Sequence, residues 1–249
     1  MKSEMIILKV LHEWPLSKVE LVKIDGKKFI LKTIHKDFID EINRQKELYK
    51  RCKRINISKV YSVKKNDLTV SFLMEYIENN GKKISADVAI SIIKSFHHET
   101  SNIKNKFFKN YNFNTFYGDF LRVKKYLKSP LNDYNKSKVK LFFESVFNSS
   151  YSVVHGDWSH DQILSKNGKY YIVDFGKAYY GPSVLDFYNF DLDKDPLMIK
   201  AKLVNIVIEL AWLDLCWKKY IDYDYTNKIQ EKVEQFSLTE KKLKTFGLV

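Results

Sequence analysis

The stretch His-Gly-Asp-Trp-Ser-His-Asp-Gln at residues 155–162, followed by Asp-Phe-Gly at residues 174–176, decides the fold of this chain. Between the two stretches lies Asn167-Gly168, a strong signal for a tight β-hairpin turn. Apolar, β-branched and aromatic residues on either side predict short strands. The predicted strands are Val153-Val154, Ile163-Leu164 and Tyr170–Val173.

A hairpin brings its two open ends together, so we expect Gln162 and Asp174 to be near neighbours, with Asp157 on the preceding loop within reach of both. A carboxylate and an amide oxygen are hard ligands of the kind that Mg²⁺ prefers. Asp157 is then free to accept the proton of a hydroxyl and to orient it toward the γ-phosphate of ATP. The alternative is that all three are turn-forming residues, which leaves the flanking His155-Gly156 without an explanation.

This pattern resembles the aminoglycoside phosphotransferase and choline kinase family, which has the protein-kinase-like fold. The family pattern is His-Gly-Asp, four residues, Asn, a pair of strands and Asp. The resemblance implies that Asp157 is the catalytic base and that Asp174 binds Mg²⁺. Gln162 stands where Asn is usual, and its oxygen is chemically equivalent on a longer side chain. Asp186 matches a family aspartate that braces the catalytic loop.

The N-terminal part predicts a nucleotide-binding sheet. Two alternating segments around Asp25-Gly26 predict a hairpin that ends at Lys32, which resembles the kinase lysine that pairs with the α- and β-phosphates. Helical periodicity over residues 37–52 places Glu41 on the apolar stripe and Glu47 on the opposite face. Glu41 is therefore the expected partner of Lys32. The alternative is that Lys32 is only an exposed lysine at a strand end and that Glu41 only reaches solvent.

Two further strands, predicted at 57–63 and 68–74, lead to a segment that resembles the kinase hinge. There the backbone of Glu75 and Ile77 would bind the adenine edge and Met74 would back the pocket, unless the segment is only a strand end. Together these patterns predict an α+β, two-lobed, protein-kinase-like fold. We expect an N-lobe at residues 1–79, with a five-stranded antiparallel sheet and one helix, and a mainly helical C-lobe at residues 80–249.

The expected acceptor is a hydroxyl of a small molecule. The short gap between Asp174 and Asp186 leaves no room for a long activation segment, which disfavours protein substrates, and no glycine-rich phosphate loop is present. An aminoglycoside or sugar is the first expectation and an amino alcohol the next. A polycationic aminoglycoside needs acids that converge on Asp157. The candidates are Asp191, Asp193, Asp195, Glu209 and Asp214.

The net charge of +13 raises the question of a nucleic-acid or membrane partner. Of the 43 basic residues, 39 are lysine and four are arginine, a bias typical of an AT-rich genome, whereas specific phosphate and base contacts favour arginine. Lysines are interleaved with aromatic residues over residues 104–109, a pattern that could bind nucleic acid or an anionic surface. We disfavour nucleic acid, and we regard a membrane surface as a less favoured alternative.

Two cysteines, Cys52 and Cys216, have no zinc-like spacing and are expected to be reduced core residues in a cytoplasm. No apolar run reaches the length of a membrane span, and charged residues interrupt the N-terminal segment where a signal peptide would be apolar. Two other functions stay open from the sequence. One is a kinase of a surface polysaccharide or lipid-linked sugar, and the other is a non-catalytic pseudokinase or binding module.

Overall fold

A computed structural model of the protein describes residues 4–79, 84–188, 190, 195–219 and 224–247. Its strands are β1 (Met5–Trp14), β2 (Ser17–Ile24), β3 (Lys27–His35), β4 (Asn56–Ile57), β5 (Val60–Lys65), β6 (Thr69–Glu75), β7 (Tyr151–Val154), β8 (Ile163–Lys166), β9 (Lys169–Ile172) and β10 (Tyr179–Pro182). Its α-helices are α1 (Asp40–Arg51), α2 (Ala86–Thr100), α3 (Phe113–Val123), α4 (Lys136–Phe142), α5 (Glu144–Phe147), α6 (Pro196–Lys219) and α7 (Thr226–Lys244).

The chain divides into two compact units, each built from two separate segments. The first unit comprises residues 1–108 and 159–178, and the second comprises residues 109–158 and 179–249. The division passes between Trp158 and Ser159, inside the stretch that first indicated the fold. The lobe boundary expected near residues 79–80 stays a prediction.

The first unit is organised around a five-stranded antiparallel sheet in the order β1-β2-β3-β6-β5. Two of its neighbouring strands, β2 and β3, are joined by Asp25-Gly26, both with positive φ, as the predicted tight turn requires. One side of the sheet packs through Ile34, Val70 and Phe72 against Ile42 of α1. This confirms the predicted sheet and helix, while the fifth strand, β1, had no position assigned from the sequence.

The helix of this sheet begins later than its sequence indicates. Residues 36–38 form a 3-10 turn, in which the His35 side chain accepts from the N–H of Asp37, and α1 begins only at Asp40. The buried positions of α1 are those on the predicted apolar stripe: Glu41, Ile42, Gln45 and Leu48, followed by Cys52 at the helix end. The predicted phase of the helix is therefore correct.

The predicted hairpin at the centre of the sequence is also present in the first unit. Strands β8 and β9 pair antiparallel, and both residues of the Asn167-Gly168 turn have positive φ, as a type I′ turn requires. Strand β9 also pairs in parallel with β4. This three-stranded sheet fixes the direction in which the chain enters the segment from Asp174 to Gly176.

The second unit is mainly helical around one short sheet. Strands β7 and β10 pair antiparallel, with Tyr179 opposite Val154. Helix α6 packs against both α3 and α7. Clustered phenylalanines fill the region of α3, α4 and α5, with the rings of Phe116 and Phe143 4.9 Å apart. The expectation of a mainly helical remainder is confirmed, although the part of it at residues 80–83, 189, 191–194, 220–223 and 248–249 lies outside the described residues.

Candidate active site

The first unit brings together three of the predicted side chains, a buried lysine and two carboxylates. Lys32, in β3, is 6% exposed, and its Nζ atom lies 2.6 Å from Glu41 Oε1 and 2.9 Å from Asp174 Oδ1. Burial alone would lower the pKa of Lys32, but the charges of Glu41 and Asp174 outweigh it and raise that pKa above its usual value. The lysine is therefore a fixed positive charge between two carboxylates.

The competing glutamate of the same helix does not take part. Glu47 instead forms an exposed ion pair with Arg51, at 2.8 Å between Oε1 and Nε. Glu41 is buried, and burial raises its pKa even though Lys32 acts in the opposite direction. Helix phase thus identified the correct partner of Lys32.

Asp174 has an unusual backbone conformation for a residue other than glycine, with φ at 67°. Aspartate tolerates this left-handed region better than most residues, and its side chain remains 44% exposed. Next to it, a Cβ atom at Gly176 would lie 3.2 Å from Glu41 Oε2 and 3.4 Å from Asp174 Oδ1. The lack of a side chain at Gly176 therefore leaves space beside both carboxylates.

An arginine that the sequence analysis did not assign to the site fixes the chain after Asp174. Arg44, three residues after Glu41 in α1, donates from Nε to the carbonyl oxygen of Phe175 at 3.0 Å and from Nη2 to that of Gly176 at 2.7 Å. A lysine would have to serve both carbonyls from one nitrogen atom, whereas the planar guanidinium offers two N–H donors on separate nitrogens in a fixed geometry. The scarcity of arginine in this chain is the one sequence signal that could have identified it.

Gln162 ends a 3-10 turn formed by residues 160–162, just before β8. Its Oε1 atom accepts from the backbone N–H of Ser159 at 3.1 Å and also from the Ser159 hydroxyl, while its carbonyl accepts from the N–H of Val173 at 3.1 Å. The backbone of Gln162 therefore contacts the residue that precedes Asp174. The Ser-x-x-Gln spacing is a capping-box pattern that the sequence analysis did not identify.

The predicted hinge residues lie at and beyond the end of β6. The N–H of Glu75 donates to the carbonyl of Lys59 at 2.8 Å, so an adenine contact at this residue would have to use its carbonyl. Met74 packs against the core of the sheet and accepts from Gln45 Nε2 at 3.2 Å, and Ile77 is buried. The nucleotide roles of these three residues stay predictions.

In the second unit, Asp157 lies on the loop that follows β7. The two residues before it are held by the fully buried Asp186, which accepts from the N–H of His155 at 2.8 Å and from the N–H of Gly156 at 3.0 Å. The His155 ring packs on Trp158 with centroids 4.5 Å apart. The bracing role predicted for Asp186 is confirmed, and the expected proximity of Asp157 to Gln162 and Asp174 stays a prediction.

The acids proposed to contact a cationic acceptor are already engaged where they are described. Asp195 caps the start of α6 by accepting from the N–H of Leu197 at 2.8 Å. Glu209 pairs with Lys232 at 2.6 Å. Asp191 and Asp193 lie outside the described residues.

Asp214 is the most enclosed of these acids. It is 2% exposed and accepts from the Tyr126 hydroxyl at 2.6 Å, from Lys218 at 2.8 Å and from Lys125 at 3.1 Å. Burial alone would raise its pKa, but these three donors lower it to about 2. The charges of Lys125 and Lys218 therefore both pair with the Asp214 carboxylate inside the second unit.

Among the described residues, no group of three or more His, Cys, Asp and Glu side chains is placed to hold a metal ion. Magnesium bound with a nucleotide needs fewer protein ligands, because phosphates and water supply the others. Asp174 and Gln162 are the residues that could contribute. Within the same described ranges, no helix is both long and apolar enough to cross a membrane.

Comparison with known proteins identifies the fold. The aminoglycoside phosphotransferase APH(4)-Ia is 10% identical and matches with a TM-score of 0.63 over 95% of this chain and 94% of its own. A choline/ethanolamine kinase family protein from Mesorhizobium loti is 12% identical, with a TM-score of 0.63 over 93% and 87% of the two chains. An amicoumacin kinase is 12% identical, with a TM-score of 0.62 over 94% and 86%.

These similarities confirm the protein-kinase-like fold and the structural resemblance to small-molecule kinases. No protein-family model matches the sequence, and no curated protein matches it significantly.

Proposed function

We propose that the protein transfers the γ-phosphate of ATP to a hydroxyl group of a small molecule, with Mg²⁺ as the metal. The observation that carries the proposal is the contact of buried Lys32 with both Glu41 and Asp174. These are a strand lysine, a helix glutamate and the aspartate of the Asp-Phe-Gly segment. An ordinary surface ion pair would not need a buried lysine between two carboxylates, one of them 142 positions away in the sequence.

The nucleotide would bind against the first unit. Lys32 is charged and fixed, so it would hold the α- and β-phosphates, with Glu41 keeping it in position. Met74 would back the adenine, and the carbonyl of Glu75 and the backbone of Ile77 would read its edge. In support, complexes with the nucleotide analogue AMP-PNP are known for a mutant of APH(4)-Ia and for the amicoumacin kinase.

The residues present suit a magnesium ion carried by the nucleotide. Asp174 offers a half-exposed carboxylate next to the open space at Gly176, and Gln162 offers an amide oxygen from the turn bound to the strand before Asp174. When bound, the ion would neutralise charge on the phosphates. Gln162 would have to share its oxygen with Ser159 or turn away from it, so we expect its contribution to be smaller than that of Asp174.

Asp157 would act as the base that orients the acceptor hydroxyl and takes its proton. The support is its place directly after two residues whose N–H groups are fixed by buried Asp186. A loop held in this way keeps a side chain in one geometry without any change during the reaction. Asp157 is itself half-buried, which limits the number of positions it can adopt.

We infer that the acceptor is an uncharged, hydroxyl-rich molecule such as a sugar, and not a polycation. Glu209 and Asp214, two of the acids on which an aminoglycoside site would depend, are neutralised by lysines. Asp195 is exposed and caps a helix. A mutant of APH(4)-Ia has been crystallised with hygromycin B, so the fold itself accepts aminoglycosides, but the described acids here are not free to bind one.

Two measurements test the proposal. Calorimetric titration with Mg-ATP should give saturable binding that Asp174→Ala abolishes and Gln162→Ala weakens less. ADP release should then be screened against a panel of neutral sugars, aminoglycosides and amino alcohols. The matched control is Asp161→Ala, an exposed acid one residue before Gln162. Full-strength Mg-ATP binding by Asp174→Ala would contradict the assignment of the site.

A non-catalytic nucleotide-binding module is the second candidate. The observation that favours it is the Ser159–Gln162 contact, which occupies an oxygen that a catalytic metal would need. Such a module would bind nucleotide but release no ADP with any acceptor of the panel. Its nucleotide binding would also be the same with and without Asp157. A turnover that is measurable in the wild type and disappears in Asp157→Asn would exclude this candidate.

A further inference from the structure

Ser159 makes two contacts with the side-chain oxygen of Gln162 that a metal ion would use. The Oε1 atom of Gln162 accepts from the backbone N–H of Ser159 at 3.1 Å and also from the Ser159 hydroxyl. An amide oxygen has two lone pairs, so these two donors occupy both of them. The contacts are local, because Ser159 is the cap of the same 3-10 turn that Gln162 ends.

The two contacts differ in how easily they can be released. The N–H of Ser159 belongs to a backbone with φ −137° and ψ 171°, and the turn is closed by the N–H of Gln162, which donates to the Ser159 carbonyl at 3.2 Å. The hydroxyl proton, by contrast, rotates about a single bond. The hydroxyl oxygen also accepts from the N–H of Asp161 at 3.3 Å, a contact that does not use that proton. The proton can therefore turn away from Oε1 while the backbone contact remains.

Backbone contacts also fix the main chain of Gln162. Its carbonyl accepts from the N–H of Val173 at 3.1 Å, and β8, which begins at the next residue, pairs with β9. The main chain is thus held from one side by the strand that leads to Asp174 and from the other side by the turn. The amide oxygen is held by the N–H of Ser159, so the hydroxyl is not needed to keep it in place.

We propose that the Ser159 hydroxyl competes with the magnesium ion of the nucleotide for Gln162 Oε1, so that Ser159 is a positioning residue that lowers the affinity for Mg-ATP. This rests on the function proposed above, with Asp174 and Gln162 as the residues that contact the ion. The N–H of Ser159 keeps the amide oxygen in place, and the second lone pair is exchanged between the hydroxyl and the ion. A released hydroxyl keeps its contact with the N–H of Asp161 and turns its proton to solvent, since Ser159 is exposed.

The same contact accounts for a glutamine at position 162. In a capping box, the third residue of the turn reaches back to the N–H of the capping residue, and glutamate and glutamine are the residues that do so. Asparagine is one methylene shorter. A glutamate would place a second negative charge in the turn, next to Asp161. Glutamine therefore combines the reach that the cap of this turn requires with a neutral oxygen that a metal ion can share.

Calorimetric titration of the full chain with ATP, once with Mg²⁺ and once with EDTA, tests the competition. Ser159→Ala removes the hydroxyl and keeps the N–H, so we expect Mg-ATP to bind about two- to tenfold more tightly, the equivalent of one hydrogen bond that no longer has to be released. The affinity for ATP in EDTA should not change. Ser159→Thr, which keeps a hydroxyl, should bind Mg-ATP as the wild type does.

Combined variants show whether the effect passes through Gln162. In a Gln162→Ala chain, Ser159→Ala should leave the affinity for Mg-ATP unchanged, because no amide oxygen remains to be released. Urea unfolding in EDTA measures the contact without nucleotide, and Ser159→Ala should lower the midpoint less in the Gln162→Ala chain than in the wild type. The matched control is Ser85→Ala, which removes the hydroxyl that caps α2 through the N–H of Val88 and should not change Mg-ATP affinity.

Three outcomes overturn the competition and leave the proposed function intact. These are a Ser159→Ala chain that binds Mg-ATP no more tightly than the wild type, a gain that persists in the Gln162→Ala chain, and an equal gain for ATP in EDTA. In each of them the wild type binds Mg-ATP and Asp174→Ala does not. A wild type that binds no Mg-ATP would instead contradict the proposed function and the competition together.

Discussion

Replacing Arg44 by lysine should loosen the segment that carries Asp174 while keeping the charge of the side chain. The guanidinium donates to two successive carbonyls, those of Phe175 and Gly176, at 3.0 and 2.7 Å. A lysine at this position has one donor nitrogen instead of two, so we expect it to keep one of these contacts in good geometry and to lose most of the other. The variant therefore removes about one charged hydrogen bond and leaves one carbonyl short of a partner.

The expected loss of unfolding free energy follows from the number of hydrogen bonds that each variant removes. A hydrogen bond to a charged group contributes about 1.5–3 kcal/mol, and Arg44 is half-buried, so we expect Arg44→Lys to lose about 1.5 kcal/mol of unfolding free energy. Arg44→Met removes both bonds and should lose about 3 kcal/mol. Asp174 also has a left-handed backbone, which costs about 1–3 kcal/mol unless neighbouring contacts maintain it.

Urea unfolding followed by circular dichroism measures the loss of unfolding free energy, and calorimetric titration with Mg-ATP measures the effect on the placement of Asp174. If the whole loss falls on the placement of Asp174, Mg-ATP binding should weaken about tenfold. The matched control is Arg51→Lys in the same helix, where an exposed arginine has a single ion pair with Glu47 and the change should stay within about 0.5 kcal/mol. Equal unfolding midpoints and equal Mg-ATP affinities for Arg44→Lys and wild type would refute the reasoning.

Three further outcomes are expected. Asp157→Asn should retain Mg-ATP binding in calorimetry and lose several orders of magnitude in turnover, about 10³-fold or more, since no base accepts the hydroxyl proton. Asp214→Asn should cost about 2 kcal/mol in urea unfolding at pH 7, a difference that shrinks as the pH falls from about 4 through the folded-state pKa of about 2. The thiols of Cys52 and Cys216 should react with a disulfide reagent at pH 8 only after unfolding, because burial raises their pKa values to about 12 and about 11.

The sign of the pH effect at Asp214 follows from its depressed pKa. The folded state holds the ionised form below the pH at which an unfolded aspartate takes up its proton, so its stabilising contribution is present above about pH 4 and is lost below it. An unfolding difference between wild type and Asp214→Asn that stayed constant from pH 7 to about pH 2 would show that the carboxylate charge does not stabilise the fold.

Local signals in the sequence predicted much of the first unit. Both tight turns, at Asp25-Gly26 and Asn167-Gly168, depend on two adjacent residues with positive φ, so their sequence is nearly sufficient to specify them. The phase of α1 follows from its apolar stripe in the same way. Strand β1 is different, because its long apolar run has no clear alternation and a run of that kind does not separate a strand from a buried helix.

Partnerships between distant residues could not be predicted from the sequence. The carboxylate of Asp214 was a reasonable candidate for an acceptor contact until its partners were known, and one of them, Lys125, is 89 positions away. The chain has 43 basic residues, so no pattern in it indicates which lysine neutralises which acid. The preference for a neutral acceptor therefore rests on the structure, whereas the catalytic and metal assignments began with the sequence.

Arginine scarcity shows how far composition can identify a functional residue. In a chain with 39 lysines, each of four arginines is a candidate for a contact that lysine cannot make. Arg51 contradicts a simple use of that rule, because its exposed pair with Glu47 would suit a lysine equally well. Arg44 differs in its position, three residues after Glu41 on the same side of the helix, where its side chain reaches the Asp-Phe-Gly backbone. Rarity becomes informative only when helix phase directs the rare residue toward the site, and in this chain that combination selects Arg44.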